Sequence, residues 1–220
     1  GTLPLEVPDS PIGARCLAIH KSRLWAGATA GIPTRVNYSQ AGDGQTWTGI
    51  GTGYFSMGTE DGEAVEDVAP FANGLLCGKA TSLHFIQGET PDQFFQVSLN
   101  AGGTAPGRSL MPTAYGCVVA GREQVWLFDG ANVQPIGRGV EQTYGLTGDY
   151  VSSSYIDGSV YIADSGVRRV FVFDLNAGTW RLEQIGSTAQ GAAESAAVLY
   201  NYGPTQLYGP ANGTIGSLVN

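Results

Sequence analysis

The chain has 220 residues, of which 33 are glycine and ten tyrosine, and only 14% are charged; a helical protein would carry far more Glu, Lys, Ala and Leu, so many short strands joined by tight turns are expected. A formal net charge of −8 argues against an extended basic patch of the kind that neutralises nucleic-acid phosphates or holds an anionic membrane. No apolar run approaches the roughly eighteen residues of a spanning helix, so no membrane insertion is expected.

In chain order, Thr2–Val7 alternates Leu3, Leu5 and Val7 with polar or proline neighbours and reads as one short strand with no adjacent partner. Cys16–Ala28 is two apolar runs about a polar turn at Lys21-Ser22, the pattern of a hairpin with one buried face. A loop through Gly31-Ile32-Pro33 leads to strands Arg35–Gln40 and Tyr54–Thr59, which complete a four-stranded meander. The second unit has strands near Val65–Phe71, Leu75–Lys79, Ser82–Gln87 and Phe94–Leu99, with a first turn at Asn73-Gly74, a dipeptide suited to positive φ.

The third unit runs Gly116–Ala120, Gln124–Phe128 and Asn132–Ile136, with Asp129-Gly130 between its second and third strands and a poorly marked fourth. The fourth has Val151–Ile156, the Asp157-Gly158 turn, Ser159–Ala163, Arg168–Leu175, the Asn176–Gly178 turn and Thr179–Ile185. The fifth has Ser195–Tyr200, a turn at Asn201–Gly203, Thr205–Tyr208 and Gly213–Val219, and lacks a fourth strand. Turns taken at Ser22, Asn73, Arg122, Asp157 and Tyr202 recur about every 45 residues, the period of a β-propeller blade. The expected fold is therefore all-β: one five-bladed β-propeller over residues 1–220, with blades near 16–59, 65–99, 116–147, 151–185 and 195–219, the last completed and the ring closed by the strand at 2–7. A β-sandwich is the rival architecture, and the regular spacing disfavours it.

The residues that could carry chemistry are few. Cys16, Cys77 and Cys117 lie among apolar neighbours, without the Cys-x-x-Cys spacing of a metal or redox site, and read as small core residues. His20 and His84 have no neighbouring carboxylate or second histidine at ligand spacing, so both read as structural. Ser56 lacks the glycine and following helix of a nucleophile elbow. Glu60, Asp61, Glu63, Glu66 and Asp67 form a dense acidic segment whose mutual repulsion favours a solvated loop over a catalytic carboxylate pair. No catalytic, cofactor-binding or metal-ligating residue is assigned, and no cofactor is expected.

Ser39–Trp47 is similar to the Asp box of sialidases, with Gly44 and Trp47 in place but Gly42 and Gln40 at the aspartate and serine positions. An arginine triad cannot be picked out of Arg15, Arg23, Arg35, Arg108, Arg122, Arg138, Arg168, Arg169 and Arg181. Trp25, Trp47, Trp126 and Trp180 are candidates for exposed aromatics, with packing between neighbouring blades as the alternative role.

Ala18–Gly27, followed by Pro33, Val36–Asp43 and Trp47, resembles the opening blade of the propeller proteins that form tail nozzles or hubs in short-tailed bacteriophages. Leu75–Ser82 resembles the second-blade hairpin of that family, Val125–Gly130 with Ile136-Gly137 the third, and Phe171–Asp174 with Trp180 a late blade; the likeness runs in order over roughly residues 15 to 185. It implies a structural virion component rather than an enzyme. Several copies would form a homo-oligomeric ring in the tail, touching other tail or portal/adaptor proteins, after assembly in the host cytoplasm. DNA would pass through the lumen without being bound specifically, and an acidic balance suits passage of a polyanion. The alternatives are a carbohydrate-binding or sialidase-like propeller, the latter a glycoside hydrolase, and a generic protein-interaction propeller, since the fold hosts many functions.

Overall fold

A computed structural model describes residues 10–58, 61–137, 144–148, 150–165 and 169–184, together with the backbone of 197–202, 205–210 and 216–218. Its regular structure is all strand apart from one 3-10 turn, Pro91–Gln93. By its contacts the chain divides into two compact units: one gathers the chain up to Lys79 with Leu83–Ser98, the other Ala80–Ser82 and the chain from Leu99 onward.

The first unit holds two four-stranded antiparallel meanders. One is formed by β1 (Cys16–His20), β2 (Arg23–Thr29), β3 (Ile32–Tyr38) and β4 (Gly53–Ser56), the other by β5 (Val65–Phe71), β6 (Gly74–Lys79), β7 (Leu83–Gln87) and β8 (Phe95–Leu99). Every residue of β6 is buried, which is why Gly-Leu-Leu-Cys-Gly-Lys shows no alternation: an inner strand covered on both faces has no polar side to display. Trp25 is fully buried and packs on Tyr38 of its own sheet and on Phe94 before β8, with ring centroids 4.9 and 5.5 Å away. Val65, Val68, Leu75, Cys77 and Ile86 join the same core.

In the second unit, β9 (Gly107–Arg108) and β10 (Leu110–Pro112) precede β11 (Cys117–Ala120), β12 (Val125–Phe128) and β13 (Val133–Pro135). Then come β14 (Val151–Ile156), β15 (Ser159–Asp164), β16 (Arg169–Asp174) and β17 (Thr179–Gln184), and finally β18 (Ala197–Tyr202), β19 (Thr205–Pro210) and β20 (Gly216–Leu218). They form sheets in the orders β10-β11-β12-β13, β17-β16-β15-β14-β9 and β18-β19-β20. Val118, Ala120 and Val125 pack with Val151, Val160, Ile162 and Phe171 in one core.

The segment before β11 ties two of these sheets together. Ala105 N–H donates to Ala120 O (2.8 Å), Val151 N–H to Pro106 O (2.7 Å) and Ala120 N–H to Ser109 O (2.9 Å), while Ser153 Oγ donates to Arg108 O (2.6 Å). β9 thus pairs in parallel with β14 while β10 pairs with β11.

The four-stranded plan expected of the first, second and fourth repeats is present, and Asp157-Gly158 makes its turn with both φ positive (46° and 83°), as a two-residue type I′ turn requires. Four details differ. The loop expected at Gly31-Ile32-Pro33 is a tight turn at Ala30-Gly31 that already opens β3; Ala28 adopts φ 54° at a bulge in β2 that aligns the two strands.

The second meander turns at Ala72-Asn73, one residue early, and Gly74 is the first residue of β6. A Cβ there would stand 2.4 Å from the Phe85 ring and 2.5 Å from Ile86 O, so this glycine serves close approach rather than a turn. In the third of the expected blades the poorly marked strand is β10, which comes before the other three, so the turn at Arg122 is the second of its sheet and the first lies at Thr113–Gly116; the described residues 144–148, which fall within the blade expected to run to residue 147, form no strand. β9 was not expected at all. The strand at Thr2–Val7 lies outside the described residues.

Candidate functional site

All three cysteines are buried and unbridged. Burial, with Asp67 nearby, pushes the Cys16 thiol up to about 12, and burial pushes Cys77 well above its ordinary value, so neither supplies a thiolate near neutral pH. His20 ends β1, where its carbonyl accepts the Trp25 indole N–H at 3.1 Å. Ser56 is exposed at the end of β4, paired with Arg35.

The acidic segment does not act as a unit. Asp61 pairs with Lys79, Glu66 lies 3.7 Å from Arg15, and Asp67 is buried with its carboxylate accepting the Val68 N–H. Glu60 lies outside the described residues. Lys79 is fully buried, and its ammonium donates to Met57 O (2.7 Å), Gly58 O (3.0 Å) and the Asp61 carboxylate (2.5 Å), so its three donors are occupied. That bond holds the Asp61 carboxyl below its ordinary range. On β7, His84 is buried, and burial followed by the Lys79 charge lowers its pKa. Gln96 Nε2 lies 3.0 Å and Ser98 Oγ 3.1 Å from His84 Nδ1, a polar setting on one ring nitrogen that suits the neutral imidazole.

This cluster orients β8 unusually. Gln96 and Ser98 turn toward His84, so Phe95 and Val97 point outward at 52% and 39% exposure. The outermost strand of the sheet therefore places its polar side chains on a buried histidine and its apolar ones in water, the reverse of an ordinary half-buried strand. On the first sheet, β1 buries Cys16 and Ala18 but leaves Leu17 and Ile19 61% and 74% exposed.

The Asp-box-like segment lies between β3 and β4. Asp43 accepts from Gln45 N–H and Thr46 Oγ1, both at 2.8 Å, which makes it a local loop clamp. Three of the described arginines are engaged locally: buried Arg23 donates to the carbonyls of Ser39 and Gly51, Arg35 stacks 3.7 Å from the Tyr54 ring, and Arg181 reaches Tyr161 OH. Arg138 and Arg168 lie outside the described residues.

Three of the four tryptophans take different roles. Trp25 is core. Trp180 stacks on Phe173 with centroids 4.6 Å apart and donates its N–H to Ile136 O at 2.9 Å, which joins two sheets of the second unit. Trp126, half-buried on β12, lines a cleft of about 440 Å³ with Thr81, Arg122, Glu123 and Gln124 and with Gly102, Gly103 and Gly121. The Gly121–Gln124 turn beside it is braced by Tyr144, whose OH donates to Gly121 O at 2.8 Å, and by Leu146 N–H on Arg122 O at 2.8 Å. Neither the buried Lys79 nor this cleft was legible in the sequence; Gly102-Gly103 and the lone lysine ending an apolar strand were their only local signs.

No family model matches the chain, and no curated protein sequence does. Among solved structures it is similar to YCF48 from Cyanidioschyzon merolae (TM-score 0.61, 11% identity, 96% of this chain and 70% of that one). It is also similar to Hsv2 from Kluyvelomyces marxianus (0.56, 10%, 89% and 59%) and to a chain of a nidogen/laminin complex (0.55, 10%, 92% and 73%). At these identities the likeness concerns fold alone, and with the repeated antiparallel sheets it gives a β-propeller-like fold.

Proposed function

We propose that the chain is a structural assembly module without catalysis, whose five sheets are blades of a propeller closed by Thr2–Val7, and that copies of it form a ring in the tail of a short-tailed phage. The observation that carries the assembly reading is the inverted polarity of β8. Phe95 and Val97 stand on β8, which among the described residues has a strand partner on one side only, and an apolar edge in water is a template for association. The occupant proposed is a second copy of this chain, because a ring needs one surface that repeats from copy to copy. Leu17 and Ile19 on β1 are the apolar face that closure of the propeller would cover. The tail placement rests on the order of the hairpins that resemble nozzle proteins, and the net charge of −8 suits a channel that passes DNA without holding it.

Quantitative mass spectrometry on tailed particles from the source that encodes the chain tests this reading. A fixed small copy number per particle is expected, and absence from particles would remove the proposal. In the isolated protein, Phe95→Asp is expected to lower the sedimentation coefficient of any oligomer; an unchanged oligomer would move the interface away from β8.

A further inference from the structure

We propose that the Trp126 cleft of the second unit binds a neutral saccharide. Among the described residues, Trp126 has neither of the attachments that anchor the other core tryptophans: its indole N–H meets no acceptor, and its ring has no aromatic partner. Two glycines lie close to its edge. A Cβ on Gly102 would stand 3.4 Å from both Nε1 and Cζ2 of the indole, and one on Gly121 would stand 3.6 Å from Nε1 and within 2.8 Å of the carbonyls of Gln124 and Gly103. A side chain at Gly121 would therefore clash with backbone, and one at Gly102 would cover the indole edge at van der Waals contact. These positions support the ring edge and leave the cleft unfilled.

The cleft, about 440 Å³, lies within the span of about 300–1,000 Å³ typical of small-molecule sites. Its polar groups mix donors and acceptors: the Arg122 guanidinium, whose single described bond is a 3.4 Å contact to Leu146 O, the Glu123 carboxylate and the Gln124 amide. A sugar hydroxyl both donates and accepts, so a polyol can use all of them, while the C–H face of a pyranose covers half-buried indole. Arg122 and Glu123 are adjacent and opposite in charge, so the site has no net pull for a phosphate or carboxylate, which selects a neutral ligand. The bracing of the Gly121–Gln124 turn by Tyr144 and Leu146 preorganises these groups.

This assignment is independent of ring assembly, and neither result decides the other. The test is isothermal titration of the full chain with maltose, lactose and N,N′-diacetylchitobiose, with tryptophan emission followed in parallel. At least one is expected to bind with Kd between about 0.1 and 10 mM. Trp126→Ala and Gln124→Ala are each expected to weaken that binding about tenfold or more, as loss of a stacking or hydrogen-bonding partner implies. Gln124→Ala and Glu123→Ala lie on a turn and leave the core untouched, so they carry the test even where Trp126→Ala lowers stability. No binding of the three sugars up to about 10 mM, binding unchanged by the substitutions, or tighter binding of 3′-sialyllactose than of lactose would each overturn the assignment.

Discussion

The buried ammonium of Lys79 lies 2.5 Å from both carboxylate oxygens of Asp61 and also takes the carbonyls of Met57 and Gly58. One side chain at the end of β6 thereby fastens the crossover from the first sheet to the second. Lys79→Ala removes a buried cation and leaves its carbonyl partners without a donor while the exposed Asp61 carboxylate returns to water, and is expected to cost about 1–3 kcal/mol, measured as a lower urea midpoint. A loss below about 1 kcal/mol would place the lysine among ordinary surface ion pairs.

This cluster, with His20, Asp43 and Asp129 elsewhere in the chain, sets a pH dependence. His84 and His20 have lowered pKa values through burial, and Asp61, Asp43 and Asp129 are lowered by hydrogen bonds from Lys79, from Gln45 and Thr46, and from Asn132 and Ala131. In every case the unfolded chain takes up its proton first as pH falls, so the stability these groups contribute is complete above their ordinary values and lost on acidification. The melting temperature is expected to fall in two stages, below about pH 6.5 for the histidines and below about pH 4 for the carboxylates. His84→Gln should shrink the upper stage and spare the lower; an unaltered upper stage would assign it to His20.

Gly107 is expected to be irreplaceable. Its φ is +98°, and a Cβ would stand 2.4 Å from Val151 O, inside the parallel β9–β14 pair. Gly107→Ala should cost at least about 1–3 kcal/mol from backbone strain alone. Ser153→Ala, which removes only the bond to Arg108 O, should cost about 0.5–1.5 kcal/mol. Denaturant melts giving equal effects would mean that β9 is held by the hydroxyl and not by backbone pairing.

Two turn positions should respond in opposite directions. Lys21 and Ser22 turn the first hairpin with φ 51° and 57°, a conformation that disfavours side chains, so Ser22→Gly should stabilise the protein by about 0.5 kcal/mol. Gly74→Ala should destabilise it, because the Phe85 ring and Ile86 O occupy the space. A thermal-shift comparison of the two variants separates a glycine missing from a turn from one required by packing.

Removal of residues 1–8 tests closure of the ring. The proposed fifth blade has three described strands, β18, β19 and β20, and would lose its fourth, so the melting temperature of the whole chain should drop. An unchanged value would sink closure by Thr2–Val7 while leaving the described sheets as they are.

Much of the architecture was legible locally. Alternation in Cys16–His20, the continuous apolar run in β6 and turn chemistry at Asp157-Gly158 each reflect interactions among residues close in the chain, and the hairpins they mark are those in the structure. The aspartates at 129 and 174, whose carboxylates accept N–H groups two and three residues on, likewise hold their turns by local bonds alone. What the chain's local chemistry left open was decided by backbones distant in sequence. Whether Gly74 serves a turn or an approach depends on Phe85, and β9 exists because β14 lies alongside it. The buried charge of Lys79 depends on a loop eighteen or more residues away, and the outward turn of Phe95 and Val97 follows from polar partners on β7. Periodicity and turn residues specify which segments become strands, because those energies are local; which faces are covered and which polar groups meet are set only when the sheets pack.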